Sequence, residues 1–423
     1  MGHLLLIESW VGAMSTLLPR AIGEAGHRFT FLTRDLHHYL RATPPGGPHP
    51  LLSAENVLTA ETNDLAELLP RVARLHEVFG FDGVLSSCDY YLGTVARVAE
   101  HLRLPGASPG AVERAYRKDL AREAMRAAGL PGPAFAVTEG WAATAGAAAE
   151  LGYPLVLKPV DLCAGMYVRK VSDEAELREA FLALEGFPVN ARQQPRSPAV
   201  LLEEVLVGEE VSVETVTYRG ETHVIGVTDK SVVGDPWFVE NGHMFPANLD
   251  ADLRRATEET AVAALRAVGL DHGVAHTELK LTPDGPRIVE INPRPAGNRI
   301  TELVRRVTGV DLPMAFAELA LGNRPALAQV DTGARSAAVS FLLPPRAGLV
   351  DRVHGTEALA ADPDVVEWQV KDGVQAGAAT SNNNYLGHVM VVDRHGAGAR
   401  THAERLVGGL RVEYATEPDR CPA

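Results

Sequence analysis

Cysteine is scarce in this chain: Cys88, Cys163 and Cys421 are the only three in 423 residues, at no spacing that would serve a disulfide framework or a zinc site. A reducing compartment is the expectation. Long apolar runs are missing too, and no secretory leader is recognisable ahead of Leu4-Leu5-Leu6-Ile7. A soluble, cytoplasmic protein with no membrane partner is therefore expected. Positive charge is in short supply, the formal net charge being −14. Binding a nucleic-acid backbone needs clustered Lys and Arg, so no nucleic acid is expected as partner, whereas a nucleotide needs only a local cationic pocket. No G-x-G-x-x-G occurs, which leaves a dinucleotide role without support. What is present is a chain 46% apolar, ample for buried cores, whose length suggests about three domains.

The first hundred residues alternate short apolar runs with helical patterns. Leu4-Leu5-Leu6-Ile7 is followed by a helix through Leu17 and Ile22 and a run at 29–32; later, Gly83-Val84-Leu85-Ser86 precedes a helix over about 90–101. Such alternation gives a parallel α/β layer. Asp89 is read first as the N-cap of that helix. Its place at a strand's carboxyl end gives a second reading, on the border of a substrate cleft.

The richest segment is 276–294. Thr282-Pro283-Asp284-Gly285 is a turn signal between two apolar runs of period two, which predicts an antiparallel hairpin. If the loop closes so that Leu281 faces Arg287, Glu278 lies opposite Glu290. Like charges across a strand pair destabilise it and push one carboxyl pKa up; a divalent cation removes the conflict. Asn292 shares a face with Glu290, because side chains alternate along a strand. Carboxylate and amide oxygens are the hard ligands that Mg²⁺ takes beside substrate phosphates. Arg294, two residues on, would reach a phosphoryl oxygen. A hairpin face charged only for solubility is the plainer alternative, and the Asn-x-Arg continuation weighs against it.

A second group lies mid-chain. Lys118 opens a helix that ends at Gly129-Leu130-Pro131, and Lys158 lies inside the apolar strand 154–159. Burying an ammonium is costly unless it is paired, and phosphate oxygens would pair it; a lysine snorkelling from a strand end is the plainer reading. Asp161-Leu162-Cys163-Ala164-Gly165-Met166 makes a small-residue turn whose N–H groups could close over a triphosphate. Then 201–214 gives an apolar strand, a turn at Gly208 and a second strand, carrying Glu203, Glu204, Leu206 and Glu210.

Taken in order, Lys118, Lys158 with its loop, the 203–210 hinge, and Glu278, Glu290, Asn292 and Arg294 resemble the ATP-grasp superfamily over about residues 1–320. That resemblance implies an α/β and α+β architecture, the ATP-grasp fold. It would comprise an N-terminal Rossmann-like (pre-ATP-grasp) domain over 1–113, an ATP-grasp domain over 114–322 with a lid at about 117–200, and a small C-terminal α/β domain over 323–423. It implies ATP and two Mg²⁺ ions, with Mn²⁺ as a substitute. Lys118 and Lys158 would meet the ATP phosphates and adenine edge. Glu203 and the backbone of Glu204 and Leu206 would meet the adenine, and Glu210 the ribose. Glu278, Glu290 and Asn292 would hold the metal ions, and Arg294 would steady the transferred phosphoryl group. The 161–167 loop departs from the family in having one glycine, Gly165, and a Met166 where more Gly, Ser or a basic residue is usual. Cys163 in it is read as a small packing residue.

Within the superfamily, Glu240-Asn241-Gly242-His243-Met244-Phe245-Pro246 is similar to the acceptor-side motif of L-amino acid ligases, which make dipeptides. On that resemblance Glu240 and His243 line an amino-acid pocket and are the candidate proton acceptors, with Gly297 and Asn298 as the opposite wall. The implied reaction joins an amino-acid carboxylate to an amine through an acyl phosphate, giving an amide or dipeptide, ADP and phosphate, with Arg294 at the oxyanion. Two other classes stay open. One is an ATP-dependent carboxylase of the biotin-carboxylase or purine-pathway type, disfavoured by Pro295-Ala296-Gly297-Asn298 where the biotin type has Ile-Gln-Val-Glu. The other is a non-catalytic nucleotide-binding protein. Partners expected are the small-molecule substrates and, by the default for symmetric assemblies, a second copy in a homodimer. Further strands are expected at 336–343, 365–370 and 388–392, with a helix at 403–410. Segment 186–199 reads as a solvent-exposed excursion of the lid, and 381–387 as a structural turn.

Overall fold

The computed structural model describes residues 1–9, 12–40 and 49–415, so Cys421 lies outside the described residues. The N-terminal part is a four-stranded parallel sheet ordered Asn56–Thr59, Arg28–Thr33, His3–Ile7, Gly83–Leu85. Leu4-Leu5-Leu6-Ile7 is apolar at every position because both faces of its strand are covered. Leu4 and Leu6 pack with the helices Met14–Glu24 and Leu312–Ala320, and Leu5 and Ile7 with Leu65–Phe79 and Leu92–Leu102. Full burial of each such side chain contributes about 1.5–3 kcal/mol. The helix expected from 90 starts slightly later: Asp89–Tyr91 is a 3₁₀ turn and the α-helix runs Leu92–Leu102. The cap positions are Cys88 and Tyr91, so the N-cap reading of Asp89 fails; its carboxylate is drawn to a distant cation instead.

A second sheet is antiparallel, ordered Phe135–Glu139, Ala199–Glu204, Leu155–Pro159, Arg169–Val171, and is backed by helices Trp141–Leu151 and Glu174–Glu185. Asp173 starts the latter helix, its Oδ1 accepting from the Glu176 amide at 2.8 Å, which satisfies one of the donors a helix start leaves unpaired. The 186–199 segment of this lid is not the free excursion its polarity suggests. The Arg192 carbonyl accepts from Asn63 Nδ2 at 2.9 Å and from Arg34 at 3.4 Å. Gln194 Nε2 donates to Asn63 Oδ1 at 3.3 Å and to the Tyr90 carbonyl at 3.2 Å. These contacts tie the segment to the N-terminal part of the chain, while Gln193 and Ala191 stay exposed.

The largest sheet has eight strands, ordered Gly285–Asn292, Gly273–Thr282, Glu209–Tyr218, Glu221–Val233, Val239–Phe245, Ser336–Leu342, Gly387–Asp393, Val365–Val370. Every neighbouring pair is antiparallel. The sheet passes without a break across 322/323, because Val239–Phe245 pairs directly with Ser336–Leu342. A three-stranded sheet of Val374–Ala376, Gly348–His354 and Arg411–Tyr414 and the helix Ala399–Gly408 complete the C-terminal part. Among the described residues no helix is long and apolar enough to cross a membrane.

Candidate active site

The expected hairpin forms, with Glu278 opposite Glu290. It reaches that register by a different route. Leu281 pairs with Pro286, one step from the expected Arg287, and a bulge between Leu279 and Glu278 takes up Val289 and restores the pairing of the two glutamates. Without the extra residue Glu278 would face Val289, so the bulge is what aims both carboxylates at one place.

The opposed carboxylates are compensated by cations from elsewhere in the chain. Lys118 Nζ lies 3.1 Å from Glu290 Oε2 and donates to the Leu162 carbonyl at 2.8 Å, while Asn292 Nδ2 donates to Glu290 Oε1 at 3.0 Å. Burial pushes the Glu290 pKa up, but Lys118 and that hydrogen bond more than offset it, bringing it to about 2. Glu278 Oε1 lies 2.8 Å from Lys230 Nζ and 3.0 Å from His276 Nε2. The Lys230 side chain has no exposed surface, and its ammonium is also 3.1 Å from Glu210 Oε1 and 2.9 Å from Glu240 Oε1. These contacts are ion pairs by distance; none has the angle of a hydrogen bond. Burial works to lower the Lys230 pKa, but the three carboxylates hold it well above the ordinary value. Glu210, expected at a ribose, gives its other oxygen to Lys280 at 3.1 Å.

On the lid side, Lys158 sits in its strand as expected, 2.5 Å from Glu203 Oε2. Glu203 also pairs with Arg122, a contact the sequence reading did not include. Between the two cations, and against the effect of burial, its pKa falls to about 2. Its carboxylate is thus engaged by Lys158 and Arg122. Glu204 is exposed and accepts from the Ala134 amide at 3.2 Å, and Leu206 is half-buried in the connection to the next strand. In the 161–167 loop Asp161 accepts from the Ser197 amide at 2.5 Å. Ala164, Gly165 and Tyr167 all take positive φ, and Met166 and Tyr167 pack on the lid core. Burial pushes the Cys163 thiol up to about 12, which suits a packing residue.

At the other end, Arg294 Nε donates to Asp89 Oδ1 at 2.7 Å, and Nη1 to the Pro295 carbonyl at 3.0 Å. Asp89 is therefore held beside the guanidinium of Arg294. Glu240 Oε2 accepts from Asn298 Nδ2 at 2.6 Å. His243 Nε2 lies 3.2 Å from that same oxygen, but the ring is wholly buried and makes no hydrogen bond. Gly297 is exposed, with open space where a Cβ would stand. Segment 381–387, read as a structural turn, also arrives here: Asn382 Oδ1 accepts from the Glu240 amide at 3.0 Å, and the Tyr385 hydroxyl is 3.5 Å from Asn298 Nδ2. Arg122, Lys230, Asn382 and Tyr385 are the residues that sequence reasoning missed. Lys230 carries the same signal as Lys158, a lysine within a strand, but only the tertiary structure shows what it meets.

Glu278, Glu290 and Asn292 present hard oxygen donors at facing, largely buried positions, a set that suits Mg²⁺. Glu210, Glu240 and Glu278 also converge, with carboxylate oxygens within 4.8 Å of one another, but Lys230 already lies among them.

An antiparallel lid set beside a larger antiparallel sheet, behind a parallel α/β layer, with lysines and an acidic hairpin between them, defines the ATP-grasp class. Family models match accordingly: an ATP-grasp N-terminal domain over residues 21–106, an ATP-grasp domain over 151–302, and an L-amino acid ligase C-terminal domain 2 over 340–415. The chain is 31% identical over 381 residues to the uncharacterized protein y4rH of Sinorhizobium fredii, covering 89% of this chain and 77% of that one. It is 27% identical over 273 residues to the alanine–anticapsin ligase of Bacillus subtilis, covering 60% of this chain and 57% of that one. The crystal structure of the L-amino acid ligase from Bacillus licheniformis shares the fold, with a TM-score of 0.78 at 22% identity over 98% of this chain and 99% of that one. The chain belongs to the ATP-grasp superfamily.

Proposed function

We propose that this protein is an ATP-dependent ligase of the L-amino acid ligase type, joining an amino-acid carboxylate to an amine or second amino acid through an acyl phosphate. The observation that carries the reading is Lys230. One buried ammonium lies within 3.1 Å of Glu210, Glu240 and Glu278, so the metal-and-phosphate half and the amino-acid half share one charge network. Likeness to a protein named for ligating alanine and anticapsin supports the reaction class.

Lys118 and Lys158 would bind ATP. Glu278, Glu290 and Asn292 would hold Mg²⁺, which when bound neutralises charge on the phosphoryl oxygens. A substrate carboxylate oxygen bonds to the γ-phosphorus as the bond to ADP breaks. The amine nitrogen of the second substrate then bonds to the acyl carbon, phosphate leaves, and the amine gives up a proton. Arg294, fixed by Asp89, stabilises the oxyanion with its remaining N–H groups. Glu240 receives a substrate ammonium. Burial would raise its pKa, but Lys230 and His243 hold it well below the usual carboxylate range, so it stays ionised opposite the ammonium and is a weak proton acceptor. His243, without exposed surface, steadies Glu240 rather than meeting the amine. Lid closure keeps out the water that would hydrolyse an acyl phosphate.

The test is a phosphate-release screen over amino-acid pairs, with mass spectrometry of the products. An amide or dipeptide should appear with one phosphate per bond formed. Phosphate release with a carboxylate and bicarbonate but with no amine would replace the ligase by a carboxylase. Glu290→Gln should lower Mg²⁺-dependent release on the order of 100-fold; full activity in that variant would remove the metal assignment.

A further inference from the structure

The segment before the strand Gly387–Asp393 is held unusually firmly for a polar turn. The Leu386 amide donates to the Leu342 carbonyl at 2.8 Å, the Lys371 amide to the Leu386 carbonyl at 2.8 Å, and Lys371 Nζ to the Tyr385 carbonyl at 2.9 Å. Asn382 Oδ1 accepts from the Glu240 amide at 3.0 Å, which ties the turn to the strand that carries Glu240. The Tyr385 ring is therefore fixed in place. It stacks on Phe341 with centroids 4.2 Å apart and planes 11° from parallel, and Phe341 in turn meets the His243 ring edge-on at 5.6 Å.

Around Glu240 the surroundings are unequal. Lys230 and His243 flank its carboxylate and have no exposed surface. Asn298 and Tyr385 are only partly buried, so they, unlike Lys230 and His243, keep surface with which to meet a ligand. The Tyr385 hydroxyl stands 3.5 Å from Asn298 Nδ2, which itself donates to Glu240 Oε2 at 2.6 Å. Those two walls are in contact. For even one carbon to pass between them they would have to stand about 7 Å apart, two van der Waals separations.

We infer that Tyr385, closing on Asn298, sets the size limit for the side chain of the amino acid whose ammonium Glu240 holds, and that the protein selects a small side chain, of the glycine or alanine class, over a bulky one. The inference rests on the ligase reading for the meaning of that ammonium site. Burial, with the charge of Glu240, raises the Tyr385 pKa far above the ordinary phenol value, so the wall stays neutral at any working pH. A wall supplied by 381–387 also explains why this polar turn is docked on the strand that carries Glu240.

The experiment compares kcat/KM for alanine and for leucine or phenylalanine as the varied amino acid, by phosphate release, in the wild-type protein, Tyr385→Ala and Tyr385→Trp. Wild type should prefer alanine. Tyr385→Ala should shift the ratio towards the bulky substrates by about tenfold or more, the usual scale for one or two methylenes in a pocket. Tyr385→Trp should shift it the other way or leave bulky substrates without turnover. Equal ratios in wild type and in every variant that folds would overturn the inference while leaving the ligase reading intact. Should Tyr385→Ala not fold, Tyr385→Trp decides alone. If wild type releases no phosphate with any amino-acid pair, the ligase reading fails and this inference falls with it.

Discussion

Asp89 and Arg294 stand 205 residues apart in sequence and 2.7 Å apart in space. An arginine side chain has several rotatable bonds, and holding it in one geometry costs rotamer entropy unless a partner fixes it. Asp89 is that partner, and both side chains are about six-sevenths buried, at 15% and 14% exposed, where a charge-assisted hydrogen bond is worth about 1.5–3 kcal/mol. Asp89→Ala should therefore lower kcat by about tenfold or more while leaving KM for ATP close to its starting value, because the lysines that would meet ATP are untouched. Steady-state phosphate release checks this, and an unchanged kcat would separate Asp89 from catalysis. Asp89→Asn keeps an acceptor oxygen and should lose less. The residue types at this scale were largely legible in the sequence: a lysine in an apolar strand and a glutamate pair across a turn each violate a local preference. Asp89 was harder to place, since a strand end followed by a helix gives an acidic residue a second plausible task.

At the scale of elements, the hairpin and its neighbour are joined by His276. Its Nδ1 lies 2.8 Å from Glu214 Oε1 on the strand Glu209–Tyr218, and its Nε2 3.0 Å from Glu278 Oε1 on its own strand. Burial works against the charged ring, but the two glutamates win and raise its pKa from 6.5 to about 10. A group whose pKa is higher folded than unfolded stabilises the fold fully below its unfolded value and loses that contribution as pH rises through the folded one. The contribution of His276 to the stability of this sheet should thus be constant below about pH 6.5 and fall away towards about pH 10. His276→Gln should flatten that slope. Thermal melts across the range check it, and an equal slope in wild type and variant would show that another group titrates. The hairpin itself was predictable because a Pro-Asp turn between alternating runs is a local signal. Its bulge was not, because an extra residue in one strand is chosen by what the neighbouring strands and cations require.

At the scale of the whole molecule, the lid is tied to the N-terminal part of the chain by 186–199, through Gln194 and the Arg192 carbonyl on Asn63, in the loop after the strand Asn56–Thr59. A double-mutant cycle of Asn63→Ala and Gln194→Ala, read by chemical denaturation, should give a coupling of about 0.5–1.5 kcal/mol. Additive effects would show that the two residues do not support one another in solution. The same scale explains the central sheet, which runs from the acidic hairpin through the strand of Glu240 into Ser336–Leu342 and Gly387–Asp393, so that the last part of the chain is brought beside Glu240. By itself the sequence determined the α/β layer, the hairpin with its facing glutamates, and the strand lysine Lys158, because periodicity, turn chemistry and the cost of burying charge act over a few neighbouring residues. Only the tertiary structure decided that Lys230 meets three carboxylates, that Asp89 fixes Arg294 and that Tyr385 closes on Asn298. Polar pairs between distant segments are set by how the sheets pack, and they leave no periodic trace in the residues around them.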